Sequence, residues 1–340
     1  MSLPTRKLGK GGPEVTAIGL GLMGLSVAYG KPRSDAERMA FLDHAYGLGE
    51  RNWDSADAYG DNEDLLGRWF AANPDKRSQV FLATKFGLKS TPAGALEVDS
   101  SPAYAQQALE RSLQRLGLPS VDLYYCHRLD GKTPIEQTVR AMAQMQAAGR
   151  IKHIGLSECS ADSLRRAHAV ARIAAVQIEY SPFALDAERA GLMAACRELG
   201  VAVVAYSPLG RGMLTGAYRS RDDFDEDDFR RSAPRFSEEN FPKNLVLVER
   251  IREMAAAKGV TPSQLTLAWA AAQGEYVIPI PGTSREERLR ENLKALEVVL
   301  TAEEEQAIRK LAEDAEVHGE RYAQDATGSL LQIMDTPAEQ

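Results

Sequence analysis

A regular alternation of short apolar runs and amphipathic helical segments constrains this sequence most. After Ala17 to Gly21, apolar runs of four to seven residues recur near 52–56, 80–85, 121–127, 151–157, 174–179, 201–207 and 276–280. Their nearly continuous hydrophobicity is typical of parallel strands buried on both faces. Eight such strands with helices between them predict a (β/α)8 barrel, a fold that usually takes about 250 residues. No change of composition marks a linker, so residues 1–340 are expected to form one domain.

Turn and capping residues punctuate the series. Gly11, Gly12 and Pro13 predict a turn, so a β-hairpin should precede the first strand. Helix starts are predicted by capping boxes, in which Ser or Thr is followed three residues later by Glu or Gln. The matching pairs are Ser34 with Glu37, Thr133 with Glu136, Thr261 with Gln264, Ser284 with Glu287 and Thr301 with Glu304.

Two segments interrupt the alternation. Residues 211–242 are rich in charge and carry Phe224, Phe229, Phe236 and Phe241. A connection of this length is either a solvated surface excursion or a flap that closes over a ligand, and the sequence leaves both open. Residues 316–340 show little periodicity, which fits either a disordered tail or a segment that crosses the mouth of the barrel.

A glycine-rich stretch, Gly19 to Gly24, matches the GxGxxG pattern of dinucleotide-binding sheets. In that fold a helix begins among the glycines, so that its amino end faces the pyrophosphate. Here the next helical segment begins near Asp35, and no acidic residue ends a second strand about 20 residues further on. We therefore interpret Gly19 and Gly21 as allowing a tight turn at a strand end.

Charge and cysteine content argue against several classes of function. The net charge is −7 and the isoelectric point is near 5.5, which disfavours a nucleic-acid or anionic-membrane surface. The three cysteines have no metal-binding spacing and form an odd number, so neither a metal site nor a disulfide framework is predicted. No apolar run has the length of a signal peptide or a membrane span. We therefore expect a soluble protein in a reducing cytoplasm.

Four polar side chains stand at or near the ends of three consecutive predicted strands. Asp54 ends one strand and is followed by Tyr59, Lys85 ends the next, and His127 ends the third. In a parallel barrel the carboxyl ends of all strands open on one face, and neighbouring strands lie about 4.8 Å apart. These side chains should therefore lie within about 10 Å of one another. Each alone is more often structural, so the prediction depends on their convergence.

This combination suits proton transfer to a carbonyl oxygen. A phenol has a pKa of about 10, and an adjacent ammonium group favours the phenolate and lowers that pKa. Asp54 would hold Lys85 charged, and His127 would hydrogen-bond a substrate oxygen beside Tyr59. Because no side chain supplies hydride, the arrangement predicts a nicotinamide or flavin cofactor.

The last predicted strand leads into a further candidate site. Gly282, Thr283 and Ser284 are followed by Arg285 and, one turn later, by Arg288. Hydroxyl groups and arginines at the amino end of a helix predict an anion site, because backbone N–H groups and guanidinium groups both favour phosphate. The alternative is that both arginines are surface charges on an exposed helix.

These motifs make the chain resemble the aldo-keto reductases over nearly its whole length. The residues His127-Arg128 and Pro134-Ile135-Glu136 are most similar to the branch of that family that contains perakine reductase and the YakC-type enzymes. The segments that carry the resemblance are Asp54-Ser-Ala-Asp-Ala-Tyr59-Gly60, Ala83-Thr-Lys85, Asp122-Leu-Tyr-Tyr-Cys-His127, Ile154-Gly-Leu-Ser157, Ala205-Tyr206-Ser-Pro-Leu209 and Ile280-Pro-Gly-Thr283.

The resemblance implies NADPH-dependent reduction of aldehydes or ketones to alcohols. It implies a catalytic tetrad with Tyr59 as general acid–base, consisting of Asp54, Tyr59, Lys85 and His127. NADP(H) would lie extended across the strand ends, without a Rossmann motif. The implied cofactor contacts are Ser157 and Gln177 at the carboxamide, Tyr206 on the nicotinamide, Ser207, Leu209, Gly210 and Gly212 along the pyrophosphate, Thr283, Arg285 and Arg288 at the 2′-phosphate, and Asn292 at the adenine. Gly21, Met23 and Gly282 are further implied contacts, without a particular part of the cofactor assigned to them.

Two positions depart from the family pattern. Glu158 stands where many members have Asn after the carboxamide serine, although a carboxylate there could still accept the amide hydrogens. Gly282 stands where many members have Lys, so a preference for NADPH would depend on Thr283, Arg285 and Arg288.

Other functions remain alternatives at this stage. One is a nicotinamide-binding regulatory subunit similar to the potassium-channel β-subunits, although no extended N-terminal region is evident. A metal-dependent barrel hydrolase is a weaker alternative, because the chain has no HxH pair. The substrate and the oligomeric state are not predicted. Candidate walls of a pocket for a small carbonyl substrate are the two irregular segments and Met23, Tyr29, Trp53, Phe86 and Arg128.

Overall fold

The computed structural model describes residues 2–90, 96–322 and 331–339. Its strands are β1 Thr5–Lys7, β2 Glu14–Thr16, β3 Leu20–Gly21, β4 Asn52–Asp54, β5 Phe81–Phe86, β6 Leu88–Ser90, β7 Leu96–Val98, β8 Val121–Cys126, β9 Ile151–Ser157, β10 Ile173–Glu179, β11 Ala202–Tyr206 and β12 Val277–Pro279. Its helices are α1 Asp35–Gly47, α2 Asn62–Ala72, α3 Pro102–Leu116, α4 Ile135–Ala147, α5 Ala161–Val170, α6 Asp186–Arg189, α7 Leu192–Leu199, α8 Asn240–Lys258, α9 Pro262–Ala272, α10 Glu286–Lys294 and α11 Ala302–Asp314.

Eight parallel strands form the central sheet, in the order β3, β4, β5, β8, β9, β10, β11 and β12. The sheet closes on itself, because the Gly19 N–H donates to the Pro279 carbonyl at 2.9 Å and Gly21 pairs with Gly282. A Cβ at Gly21 would lie 2.9 Å from the Ile280 carbonyl oxygen, so this close approach requires glycine. The predicted (β/α)8 barrel is confirmed, and β1 pairs with β2 in the expected N-terminal hairpin.

The hairpin closes the amino end of the barrel. Leu8 and Val15 are buried against the interior-facing residues Ala83, Leu123 and Val204. The Lys10 N–H donates to the carbonyl of Gly200, just before β11 begins, at 2.8 Å. The opposite end of the barrel, where the strands terminate, is therefore the face left for a functional site.

Three of the predicted capping boxes are present, at Ser34, Thr261 and Thr301. The box at Thr133 is wrong, because Asp130 accepts both the backbone N–H and the hydroxyl of Thr133, and α4 begins after Pro134.

The box predicted at Ser284 is also wrong. The Thr283 hydroxyl instead accepts the backbone N–H of Arg285 at 3.1 Å, and α10 begins one residue later, at Glu286. The N-cap residue is therefore Arg285, and α10 begins without a side-chain cap.

The segment 211–242 is folded against the barrel. Phe224, Phe236 and Phe241 are each at most 4 % exposed and pack against one another with ring centroids 5.6 to 6.0 Å apart. A purely solvated excursion does not bury such a cluster. Short 3-10 turns carry the chain between these aromatic anchors before α8 begins.

The described parts of the C-terminal segment cross the open end of the barrel. Arg321 contacts Glu158 just beyond β9, and the Tyr322 hydroxyl lies 3.3 Å from that of Tyr206 at the end of β11. Met334 accepts a backbone hydrogen bond from Ser160 and donates one to Glu158, each of 2.9 Å. The rest of the predicted tail, at 323–330 and 340, lies outside the described residues. Within the described ranges, none of the helices combines the length and hydrophobicity of a transmembrane segment.

Candidate functional site

The ends of β4, β5 and β8 bring four polar side chains together. Lys85 Nζ, which is fully buried, donates to Asp54 Oδ1 at 2.5 Å and to the Tyr59 hydroxyl at 3.3 Å. A third hydrogen bond of 2.7 Å, to the Ser55 carbonyl, completes its donors. The ring of His127 meets that of Tyr59 edge-on, with centroids 5.8 Å apart. The structure thus joins an acid, an ammonium group, a phenol and an imidazole.

The charge states of this group follow from burial and from these contacts. Burial works to lower the pKa of Lys85, but the carboxylate of Asp54 and the Tyr59 oxygen outweigh it and keep that pKa above its ordinary value. Burial raises the pKa of Tyr59, although Lys85 opposes the rise. Lys85 therefore acts in the expected direction, but the net shift of the Tyr59 pKa is opposite to the expected one.

His127 is held as a neutral imidazole. Burial, followed by the charges of Arg128 and Lys85, places the pKa of His127 well below its ordinary value. Its Nδ1 atom is buried without a hydrogen-bond partner in the described part of the chain. At neutral pH the site consequently holds a protonated phenol, a charged lysine and a neutral histidine.

Two residues on neighbouring strands face this group. Gln177 on β10 donates through Nε2 to Asp54 Oδ2 at 2.8 Å, and it pairs in register with Ser157 on β9. The Ser157 hydroxyl accepts from Arg128 at 3.0 Å. Both residues expected at a carboxamide therefore lie at the site, and both already have protein partners.

Charged side chains fill the barrel mouth next to this site. Both oxygens of Glu158 accept from Arg321 at 3.1 Å, and Glu158 Oε1 also accepts the Tyr206 hydroxyl at 2.8 Å. The carboxylate is thus already engaged, which departs from the expectation that it accepts amide hydrogens from a ligand. We call this group the mouth cluster, which comprises Arg128, Glu158, Glu179, Arg211, Arg235 and Arg321.

The connection after β11 has an unusual backbone. Ser207 and Arg211 have φ values of 47° and 57°, and Gly210 and Gly212 have φ values of 57° and 95°. A left-handed conformation costs a non-glycine residue about 1–3 kcal/mol, and such strain concentrates at ligand sites. Leu209, between these residues, packs in a small cluster beside the barrel.

The amino end of α10 follows the last barrel strand, β12. Burial works to raise the pKa of Tyr218, but the charges of Arg230 and Arg288 and their hydrogen bonds outweigh it and lower that pKa. Glu286, in the first turn of α10, is paired with His44 at 3.1 Å. Thr283 and Asn292 are buried, whereas Arg285 is exposed.

Comparison with known proteins decides the family. The profile described as the aldo/keto reductase family matches residues 17–313. The aldo-keto reductase YakC [NADP(+)] of Schizosaccharomyces pombe is 51 % identical, and Str7 of Strobilurus tenacellus, also an aldo-keto reductase, is 50 % identical. Each alignment covers 99 % of both chains. The chain belongs to the aldo/keto reductase family.

Solved structures agree with this assignment. The glycerol dehydrogenase of Gluconobacter oxydans superposes with a TM-score of 0.82 at 25 % identity, over 96 % of this chain and 100 % of that one. A thermostable aldo-keto reductase in complex with the inhibitor epalrestat superposes with a TM-score of 0.73 at 30 % identity, over 91 % and 100 % of the two chains. The expected family is confirmed. YakC and Str7 are both named as aldo-keto reductases and align over nearly their full length, which does not favour the regulatory-subunit alternative.

Two expected walls of the substrate pocket of this aldo/keto reductase are wrong. Trp53 is fully buried against Trp69 and Phe70, with ring centroids 4.8 and 6.2 Å away, and Phe86 is fully buried and stacks on Tyr124. Each of the two residues is a direct neighbour of a site residue along its strand. Because successive side chains of a strand point to opposite faces, both belong to the helix-facing core.

A second layer behind the reductase site was not predicted. Arg115 on α3 donates to the carbonyls of Asp57 and Gly60, which flank Tyr59, and to Glu63 at 3.2 Å. Glu63 in turn accepts the hydroxyl of Thr84 at 2.6 Å. Arg115 thereby ties the Tyr59 loop to β5, the strand that carries Lys85. The sequence did not indicate this role of Arg115, because an arginine on the surface of a helix is ordinarily solvated.

Proposed function

We propose that this protein reduces aldehydes or ketones to alcohols with NADPH, with Tyr59 as the general acid–base and small carbonyl compounds as substrates. It is an NADP-dependent oxidoreductase of the aldo/keto reductase family. We propose a cytoplasmic location, because its three cysteines are all unpaired, as is usual in a reducing compartment.

One observation carries the proposal, namely that a single buried ammonium group contacts both a carboxylate and a phenol. Lys85 stays charged because Asp54 compensates it at 2.5 Å, and it lies 3.3 Å from the Tyr59 hydroxyl. As Tyr59 gives up its proton, the developing phenolate is stabilised by a cation already in place. The raised pKa of Tyr59 keeps that proton available at neutral pH.

The proposed reaction divides the work between the chain and its cofactor. NADPH, when bound, supplies the hydride that adds to the carbonyl carbon. Tyr59 donates its proton to the carbonyl oxygen, and the neutral imidazole of His127 hydrogen-bonds that oxygen and orients it. The resulting Tyr59 phenolate, held by Lys85, regains a proton from solvent. The net reaction consumes one hydride and one proton for each carbonyl reduced.

The residues around the site fit an extended dinucleotide phosphate. Ser157, Gln177 and Tyr206 surround the tetrad, where a nicotinamide ring would lie. The left-handed backbone positions Ser207, Gly210, Arg211 and Gly212 follow Tyr206 closely along the chain. We assign Ser207, Leu209, Gly210 and Gly212 to the pyrophosphate, and Gly21, Met23 and Gly282 to the rim between the first and last strands.

At the far end of this path, the amino end of α10 offers donors for a phosphate. Arg285 and Arg288 would bind the 2′-phosphate together with Thr283, because guanidinium groups at a helix amino terminus favour a dianion. The acidic Glu286 in the same turn lies 3.1 Å from Nδ1 of His44. Buried Asn292, one turn later, would contact the adenine.

The direct test is a substrate screen with the purified protein, followed by NADPH absorbance. Benzaldehydes with electron-withdrawing substituents, such as 4-nitrobenzaldehyde, should be reduced, because their carbonyl carbon accepts hydride readily. The same reaction with NADH should be slower at equal concentration. Binding of NADPH without turnover of any aldehyde or ketone in a broad panel would contradict the proposal and would favour a binding role.

A further inference from the structure

Arg128 is a buried guanidinium group whose hydrogen-bond partners, within the part of the chain that the structure describes, are all neutral. Its side chain is 4 % exposed and donates to the His127 carbonyl at 2.7 Å, to the Ser157 hydroxyl at 3.0 Å and to the Tyr206 hydroxyl at 3.3 Å. Its Nε is buried and has no partner among the described residues. Burying a charge without a counter-charge is unfavourable, so such a group calls for an anion.

The other arginines of the mouth cluster do not share this property. Arg211 and Arg235 lie 3.1 and 3.5 Å from the carboxylate of Glu179. Arg321 binds both oxygens of Glu158 and lies 3.7 Å from Glu179. The two carboxylates of the mouth cluster are thus occupied by these three guanidinium groups, and among the described residues neither carboxylate pairs with Arg128.

The position of Arg128 places this charge beside the reacting atoms. It directly follows His127, the residue proposed to orient the carbonyl oxygen, and its guanidinium carbon lies 5.9 Å from the centre of the Tyr206 ring. A carboxamide of the cofactor would be neutral and would leave the charge uncompensated. A negatively charged group on the substrate compensates it and gains a bidentate partner.

We propose that Arg128 selects carbonyl substrates that carry a carboxylate, by pairing with that carboxylate while the carbonyl lies between Tyr59 and His127. This inference rests on the proposed reductase function and adds a substrate class to it. A keto acid or an aldehyde acid with a short spacer has the required chemistry. Arg128 is then a specificity-determining residue, distinct from the proton-transfer group.

The test compares matched acids and esters. The substrates are 3- and 4-carboxybenzaldehyde and their methyl esters, which have the same reacting carbonyl but no charge. The wild-type protein should show a higher kcat/KM for the acid in at least one pair. Arg128→Gln should lower the acid-to-ester ratio by about 30-fold or more, because truncating one partner of a buried charge pair costs at least that much.

A binding measurement separates recognition from catalysis. The product-like 3- and 4-(hydroxymethyl)benzoates should bind to the NADP⁺-loaded wild-type protein in a calorimeter. Arg128→Gln should weaken this binding in step with the loss in kcat/KM for the acids. Arg128→Lys, which keeps the charge but loses the planar fork, should fall between the two.

Arg235→Gln is the matched control, because it removes the same charge from the same cluster. Its guanidinium is paired with Glu179, so the acid-to-ester ratio should stay close to that of the wild type. An equal loss in both variants would show that net charge, not contact, sets the preference, and would overturn the inference.

The outcomes distinguish the inference from the function on which it rests. Esters reduced as well as or better than acids by the wild-type protein would overturn the carboxylate assignment and leave the reductase function intact. A rise in the Kd for NADPH in Arg128→Gln that matches its loss of acid turnover would also overturn it, by assigning Arg128 to the cofactor. Absence of turnover with all four aldehydes would overturn the proposed function itself.

Discussion

Lys85 sets the charge state of the site at the scale of single residues. Its ammonium group is fully buried and has three oxygen partners, in Asp54, Ser55 and Tyr59. A lysine so deeply buried would ordinarily lose its proton, and here the paired carboxylate prevents this. The proposed acidity of Tyr59 in the transition state therefore depends on a cation that two other groups hold in place.

Replacing Lys85 by Met should slow reduction by about 100- to 1,000-fold, the usual effect of removing one group that stabilises a developing oxyanion. The pH profile should move as well. Lys85 lowers the pKa of Tyr59, so its loss raises that pKa further. The alkaline fall of kcat/KM, which marks loss of the Tyr59 proton, should shift to higher pH.

The double variant Asp54→Asn/Lys85→Met is the control for stability. Lys85→Met alone leaves the Asp54 carboxylate buried without its cation, which costs about 3–5 kcal/mol of unfolding free energy. The double variant should regain most of that stability and none of the activity. Recovery of turnover with stability would show that Lys85 acts through folding rather than chemistry.

At the scale of elements, the strands could be predicted because burial on both faces leaves a continuous apolar run in the sequence. The ends of β4, β5 and β8 then placed Asp54, Lys85 and His127 on one face. A continuous apolar run does not show which face of the sheet each of its residues occupies. Trp53 and Phe86 were therefore expected in the pocket but lie in the core. A shift of a single residue along a strand reverses the face.

The loop that carries Tyr59 depends on Arg115. This side chain holds the carbonyls on both sides of Tyr59 and is anchored by Glu63. Arg115→Met should reduce kcat by about 10- to 100-fold, because a displacement of about 1 Å in a catalytic group has an effect of that size. The Kd for NADPH should stay unchanged, since Arg115 does not lie on the proposed cofactor path.

Arg150 offers a matched control on the surface. It pairs with Glu110 at 2.9 Å, and both side chains are exposed. Arg150→Met should leave kcat as it is, since such pairs contribute little. If Arg115→Met raised the Kd for NADPH and left kcat intact, Arg115 would not be a positioning residue for Tyr59.

At the scale of the whole molecule, contacts between distant parts of the chain complete the site. Arg321 pairs with Glu158, which lies 163 positions away in the sequence, and no local sequence pattern predicts such a pair. Glu179 at the end of β10 was within reach of prediction, as a carboxylate that ends an apolar strand. The two irregular segments that cover it show no hydrophobic periodicity, so their path could not be predicted from the sequence.

We propose that residues 1–340 unfold as one unit, because the first and last barrel strands close on each other through Gly21 and Gly282. In the wild-type protein, tryptophan fluorescence and far-ultraviolet circular dichroism should report the same denaturant midpoint, the usual test of a single cooperative transition. NADPH at about 100 times its Kd should stabilise both signals by about 2.7 kcal/mol. Two separate midpoints would indicate independent domains.

The most direct measurement of the central claim is the kcat of Tyr59→Phe, taken together with its Kd for NADPH. The variant keeps the ring beside His127 and removes the one proton that the mechanism transfers. Turnover should fall by about 100- to 10,000-fold, the range attributed to a general acid, while NADPH binds as in the wild type. A kcat close to the wild-type value would contradict the assignment of Tyr59 as proton donor.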